Sequence, residues 1–379
     1  MSVASDRGLP RGEPEENYEV TPLELFFDLV FVFAVSQLSH HLLEHLTWRG
    51  AGEVLVLLLP ILAVWSYTSW AATMIPADRP ATLWMILSVM LVGLFMNAAA
   101  ANVFTTTGWP FVVPFLLIQL GRTVWTIANA PDAKYRDHFV RVLIWFIVTT
   151  PLWIAGAAVG PKVRVFFWGL AAAIDLAGTW LAHPVRARRL HSAQMAFAGG
   201  HMLERCRLFL IIALGETVLT TGTAIAAVPF TAMTVTTGTA ALAGTVALWG
   251  LCFGRSDRLT VQHLKQTRDP VRTSRFAINA LTVMVLGLIA VAVGNEKAIA
   301  HPNEHGPPSL SALLYGGPIL FLLAQGWYLR TELRSSPRVH LFGCVVLLGL
   351  GIVSLAASAS VALVVMAASL AALAVIERR

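Results

Sequence analysis

Charge is what this chain has least of. Asp, Glu, Lys and Arg make up 13% of its 379 residues and apolar side chains 56%, whereas a soluble domain carries roughly 25% charged residues. That shortage excludes a string of soluble domains, because the polar surface is too small to cover the apolar one, so lipid is the expected solvent. Cysteine is also scarce. Cys206, Cys252 and Cys344 lie in or beside apolar runs without metal-ligand spacing, and their odd count excludes a disulfide framework. They read as small buried apolar side chains. A phosphate loop, a nucleophile elbow, a zinc helix motif and a dinucleotide fingerprint are all missing, so neither an enzyme nor a cofactor is expected. The net charge of +6 does not indicate nucleic acid, because the basic residues are scattered through short loops and form no basic domain. A charged-then-apolar cleavable export signal is missing too, since residues 1–22 are polar and rich in Pro and Glu.

Long apolar runs are what the chain has in place of charge. From residue 22 onward, runs of about 18 to 24 residues recur, each long enough to cross a ~30 Å hydrocarbon core. They are apolar on both sides, unlike the alternating segments of a membrane barrel, and a helix satisfies its own backbone polar groups in lipid. The expected fold is therefore an all-α, polytopic membrane helix bundle. Its spans fall at about 23–46, 52–74, 82–103, 109–129, 138–159, 163–182, 203–226, 232–253, 274–294, 309–330, 339–357 and 359–377. Only a Ser/Ala stretch around Ser358 parts the last two, and one long or re-entrant segment is the alternative there. Residues 1–21 are expected as a disordered cytoplasmic leader and 22–379 as one transmembrane domain. Its halves, about 22–182 and 203–377, are joined by a cytoplasmic loop at 183–202, which suggests a 6+6 pseudo-repeat of parallel topology.

Loop charges orient the bundle. With an even number of spans both termini share one side, and about 19 Lys and Arg fall there against about 4 on the other, at Arg49, Lys162, Arg164 and Lys297. The positive-inside rule puts both termini in the cytoplasm. Trp48, Trp70, Trp84, Trp109, Trp168 and Trp327 lie near predicted ends, where indole rings favour the interface.

A charge at the bilayer centre costs from ~2.5 to above ~10 kcal/mol, so polar residues inside the spans are the informative ones. Glu24 and Asp28 stand four apart on one face of the first span. Glu204, Arg205 and Arg207 open the seventh span, and Glu216 lies ~19 Å deeper with no basic partner at its level. Asp28, Arg122 of the fourth span and Asp175 of the sixth each fall ~8–11 Å above the cytoplasmic boundary at 1.5 Å per residue. A polar cluster is expected there, with Arg122 holding one or both carboxylates. The cluster either locks helices together or forms a substrate or proton site built from Glu24, Asp28, Arg122, Asp175, Glu204, Arg205 and Glu216. His41 and His45 also stand four apart, but histidines are common at a helix end in the interface, and no metal is expected.

Two segments carry a resemblance. The run Thr21-Pro22-Leu23-Glu24-Leu25-Phe26-Phe27-Asp28-Leu29-Val30-Phe31-Val32-Phe33-Ala34 strongly resembles the opening helix of the bacterial low temperature requirement A family. Glu204-Arg205-Cys206-Arg207 through Leu214-Gly215-Glu216-Thr217 is similar to that family's second signature, a Glu-Arg start followed by Leu-Gly-Glu. Members commonly have an aromatic and then a small residue where this chain has Cys206-Arg207. The resemblance spans nearly the whole chain and implies a polytopic bacterial membrane protein whose family name records a cold-growth requirement. It brings no substrate with it. The expected activity is that of a secondary transporter of the plasma membrane, proton-coupled through its carboxylates and acting on a small solute or ion. A non-transporting sensor or scaffold supporting growth in the cold is the alternative.

Overall fold

The computed structural model describes residues 20–75, 79–185, 197–254, 259–260, 263, 267, 269–305 and 307–378. Among them are twelve helices long and apolar enough to cross a membrane, and no β-strand. They are α1 (Pro22–Glu44), α2 (Trp48–Met74), α3 (Pro80–Ala99), α4 (Trp109–Ala128), α5 (Ala133–Ala158), α6 (Pro161–Trp180), α7 (Gly199–Ala226), α8 (Ala232–Cys252), α9 (Pro270–Ala300), α10 (Pro308–Thr331), α11 (Arg338–Val353) and α12 (Ala359–Arg378). The expected leader, apart from its last two residues, and the middle of the expected loop 183–202 lie outside the described residues.

The helix starts follow from local chemistry. Thr21 caps α1 in a capping box with Glu24, and Pro22 takes the first helical position. Side chains of Thr47, Asp132, Thr231 and Asp269 accept the free amides that open α2, α5, α8 and α9. The last two spans are separate helices. A 3-10 turn at Ser354–Ala356 and an extended Ala357 divide them, and the Ser354 hydroxyl is held against Ser311 and the Gly351 carbonyl.

Three expectations are corrected by the packing. The ninth span, placed at 274–294, runs Pro270–Ala300, because Asn295, Glu296 and Lys297 end the apolar run without ending the helix. Arg164, assigned to an outer loop, is a buried residue of α6. Its guanidinium donates to the carbonyls of Val103, Thr106, Gly156 and Val159, which supply the acceptors that water would supply in a loop. Trp168, read as an interface anchor, is fully buried. Its indole donates to the Trp153 carbonyl and fills the space where a Cβ on Gly156 would stand, 2.3 Å from the ring.

Each set of six helices repeats one pattern of neighbours. In α1–α6 the packed pairs are α1 with α2 and α3, then α3–α4, α4–α5, α5–α6 and α2–α6. In α7–α12 the equivalents recur: α7 with α8 and α9, then α9–α10, α10–α11, α11–α12 and α8–α12. The two sets meet where α1 and α2 pack on α7 and α9. α2 and α9 are the most enclosed helices. The tightest approach in the second set joins α9 to α10, where a Cβ on Gly287 would stand 2.6 Å from the Gly317 carbonyl oxygen and one on Gly317 2.7 Å from that of Gly287. Only glycine lets two helix backbones meet so closely.

Candidate functional site

Seven polar residues were candidates from the sequence, and folding sorts them into five separate places. Glu24 and Asp28 share the inner face of α1, one helical turn apart, and both are buried. Arg205, buried on α7, reaches across the contact between the two helix sets. Its guanidinium lies 3.1 Å from Glu24 Oε1 and 2.6 Å from Asp28 Oδ1, and a third bond goes to the Glu24 carbonyl. The Trp65 indole of α2 donates to the same Asp28 oxygen at 2.7 Å, and the Phe27 ring covers the guanidinium. Asp28 Oδ2 is buried without a partner. The cluster thus joins α1 and α2 to α7.

His201 completes the cluster. Its Nε2 lies 3.3 Å from Glu24 Oε2 and its Nδ1 3.2 Å from the Thr73 hydroxyl. Thr73 already donates its hydrogen to the Ser69 carbonyl, so it accepts from His201. Two buried carboxylates thus face the Arg205 guanidinium and the His201 ring in a region that penalises an unmatched charge.

The pairing expected of Arg122 is not found. Arg122 is buried on α4 and donates to Gln119 Oε1 at 2.6 Å, to the hydroxyls of Thr68 and Thr123 and to the Val64 carbonyl. Its charge rests on neutral acceptors and on the Tyr67 ring, 5.2 Å from the guanidinium carbon. Trp65 on one side of α2 meets Asp28, while Tyr67 and Thr68 of the same helix meet Arg122. That helix stands between the acids, and so Arg122 meets neither Asp28 nor Asp175. Glu204 is also apart. It pairs with Arg207 at 3.3 Å, and both side chains are partly exposed. Glu216 is half-buried further along α7, away from Arg205 and its partners.

Asp175 faces a cavity of about 550 Å³ lined by residues of α2, α4, α5 and α6 from one helix set and of α9 and α10 from the other. The size suits a small-molecule site. Thr149 Oγ1 donates to Asp175 Oδ1 at 2.8 Å, and Trp153 Nε1 donates to Oδ2 at 3.1 Å. No basic side chain lies within ion-pair distance of this carboxylate among the described residues. Aromatic rings dominate the wall, among them Tyr67, Phe115, Phe146, Trp153, Trp180 and Trp327. Asp28 and Glu216 are not among the lining residues.

One rim of the cavity is built by an unusual exit from α6. Ala182 and His183 both take left-handed backbone conformations, with φ of 57° and 50°, and the His183 amide closes onto the Gly178 carbonyl at 2.7 Å. This reversal returns the His183 ring to Tyr67. The Thr179 hydroxyl donates to the Asp175 carbonyl. With the Tyr67 contacts to Thr179 and His183 also made, Tyr67 donates to Thr179 and accepts from His183 Nε2. Burial, followed by the neighbouring charges of His138 and Arg141, pushes the His183 imidazole down to about 3, so it is neutral. Arg122 lies on the Tyr67 ring and is not itself among the lining residues.

Sequence reasoning missed Trp65, Tyr67, His183 and His201. Tyr67 and Trp65 carry a signal of a kind, since each brings a polar atom to the middle of an apolar span and buried Trp and Tyr need partners. Nothing in the linear order says which partners these are.

The fold and these two sites define a multi-span, all-helical membrane protein whose two six-helix sets are joined by a buried ion cluster and share a solute-sized cavity. The chain belongs to the bacterial low temperature requirement A protein family, which matches residues 19–375. It is similar to a Rhizobium meliloti (strain 1021) protein carried as uncharacterized, at 29% identity over 325 residues, which cover 84% of this chain and 79% of the relative. No solved structure matches it.

Proposed function

We propose that the protein is a secondary transporter that carries a small solute or ion across the bacterial plasma membrane, with both termini in the cytoplasm and no enzymatic activity. The observation that carries this reading is the cavity at Asp175, which takes its walls from both six-helix sets. A site at the boundary between repeated halves changes its access when one half rocks against the other. The recurring neighbour pattern of the two sets favours such a motion.

The cluster of Glu24, Asp28, His201 and Arg205 serves as the proton-sensitive latch in this reading. It crosses the same boundary. Gain of a proton at the unpartnered Asp28 Oδ2 unbalances the set and weakens the hold of α7 on α1. The sites expected from sequence thereby divide into roles. Asp175 serves the solute, while Glu24, Asp28 and Arg205 serve the coupling.

An uptake and export screen in proteoliposomes tests the proposal, comparing wild type with Ala63→Trp, which fills the cavity, and with Asp28→Asn. Solute flux that depends on a proton gradient and disappears in Ala63→Trp is the expected result. Wild-type and Ala63→Trp vesicles that behave alike for every solute would leave the sensor or scaffold reading in its place.

A further inference from the structure

Among the described residues, four buried carboxylates, Glu24, Asp28, Glu53 and Glu332, each lie within ion-pair distance of an arginine, and Asp175 does not. Glu24 and Asp28 share Arg205, Glu53 holds Arg49 at 2.8 Å and His41 at 2.9 Å, and Glu332 faces Arg272 at 3.4 Å. Asp175 has only the neutral donors Thr149 and Trp153, and it is the acid that faces the cavity.

The surroundings say what would fill the missing place. Two neutral donors satisfy one lone pair on each oxygen and leave the charge itself unmatched in an apolar setting, which is unfavourable unless a cation arrives. The rings around it present π-faces that attract cations, and the attraction grows when water is excluded. Arg275 and Arg122 are already engaged. Arg275 donates to the Trp180 carbonyl and lies on the Trp180 and Phe276 rings, and Arg122 is held behind Tyr67 by Gln119, Thr68, Thr123 and the Val64 carbonyl. His183 is neutral. His138, the remaining imidazole of the wall, stands edge-on to His183 with ring centroids 5.8 Å apart.

Resting on the transporter reading above, we propose that the cavity binds a lipophilic monovalent organic cation, its charge at Asp175 and its apolar body against the aromatic wall. Quaternary ammonium and arylphosphonium ions are of this class. One carboxylate matches one positive charge, and the engaged Arg275 on the wall disfavours a second. The rings leave few polar partners for a sugar or another polyhydroxylated solute.

The test uses two ions of nearly the same size and shape but opposite charge. Detergent-solubilised full-length protein is immobilised, and retention of radiolabelled tetraphenylphosphonium is measured, with unlabelled tetraphenylphosphonium or tetraphenylborate as competitor. The wild type is expected to retain the cation and to be cleared by unlabelled tetraphenylphosphonium but not by tetraphenylborate. Asp175→Asn is expected to weaken retention at least about tenfold, as the loss of a desolvated charge partner implies. Asp175→Glu, which restores the charge, is expected to recover most of it, and thermal unfolding establishes that both variants are folded. Equal retention by wild type and Asp175→Asn, or clearance by tetraphenylborate as effective as by the cation, would overturn the assignment. If no cation is retained while Ala63→Trp still abolishes a solute flux found in proteoliposomes, the cation class is wrong and the transporter reading stands. If Ala63→Trp changes neither retention nor flux, both fail together.

Discussion

Arg205 on α7 lies 2.6 Å from Asp28 on α1, which makes its guanidinium a charged link between the first and second six-helix sets. Asp28 accepts from Trp65 of α2 on the same oxygen, so three helices converge on a single carboxylate. Each member of the cluster is costly alone in this setting and tolerable only together.

Removing the guanidinium exposes that dependence. Arg205→Met strands two buried carboxylates and is expected to lower stability by about 3–5 kcal/mol. Adding Asp28→Asn to Arg205→Met is expected to recover part of the loss, because one stranded charge disappears. Thermal unfolding in detergent, followed by tryptophan fluorescence, measures both. An Arg205→Met protein that melts with the wild type would mean that the cluster carries no stability.

The contact between α9 and α10 makes neighbouring glycines unequal. A Cβ on Gly317 meets the Gly287 carbonyl oxygen at 2.7 Å, whereas one on Gly316 meets nothing within 4 Å. Gly317→Leu is therefore expected to destabilise by about 1–3 kcal/mol or more through overpacking, and Gly316→Leu to be nearly neutral. Yield of monodisperse protein and melting temperature separate the two. Equal damage from both substitutions would show that the helix backbones do not approach as described.

Orientation is open to direct test. Reporter fusions placed after Arg334 and after Arg379 are expected to read as cytoplasmic, and a fusion at His305 as external, following the excess of basic residues on one side. A cytoplasmic signal from the His305 fusion would reverse or break the twelve-span topology.

Proton coupling separates two acids that look alike in sequence. Glu216 stands outside both the cavity and the Arg205 cluster, so Glu216→Gln is expected to leave solute flux and its dependence on pH close to wild type. Asp28→Asn removes a charge from the latch and is expected to flatten that pH dependence while Asp175-dependent binding persists. Flux measured across a series of external pH values decides it. A Glu216→Gln protein without proton-driven flux would move the coupling site deeper along α7.

Much of the fold was legible in the linear chain because lipid imposes a one-dimensional rule. A span must be apolar for its whole length, and so the twelve runs and their approximate limits could be read before any packing was known. The reading slipped where polar residues did not end a helix, as at Asn295, Glu296 and Lys297 of α9, and where burial had another cause, as for Arg164 and Trp168. The candidate site was legible residue by residue but not in its pairings. A charge inside an apolar run declares itself, and Glu24, Asp28, Arg122, Asp175 and Arg205 were all visible for that reason.

What the sequence determined by itself was therefore the solvent, the helical class, the number of spans and the identity of the costly buried charges, since each depends on composition within a single segment. Tertiary structure alone decided that Arg205 rather than Arg122 holds Asp28, that α2 stands between Asp28 and Asp175, and that the cavity formed around an acid held only by the neutral donors Thr149 and Trp153 among the described residues. Those are relations between helices far apart in the chain. They are set by how ridges, rings and glycines pack across the bundle, and the free energy that selects among them comes from contacts no single segment contains.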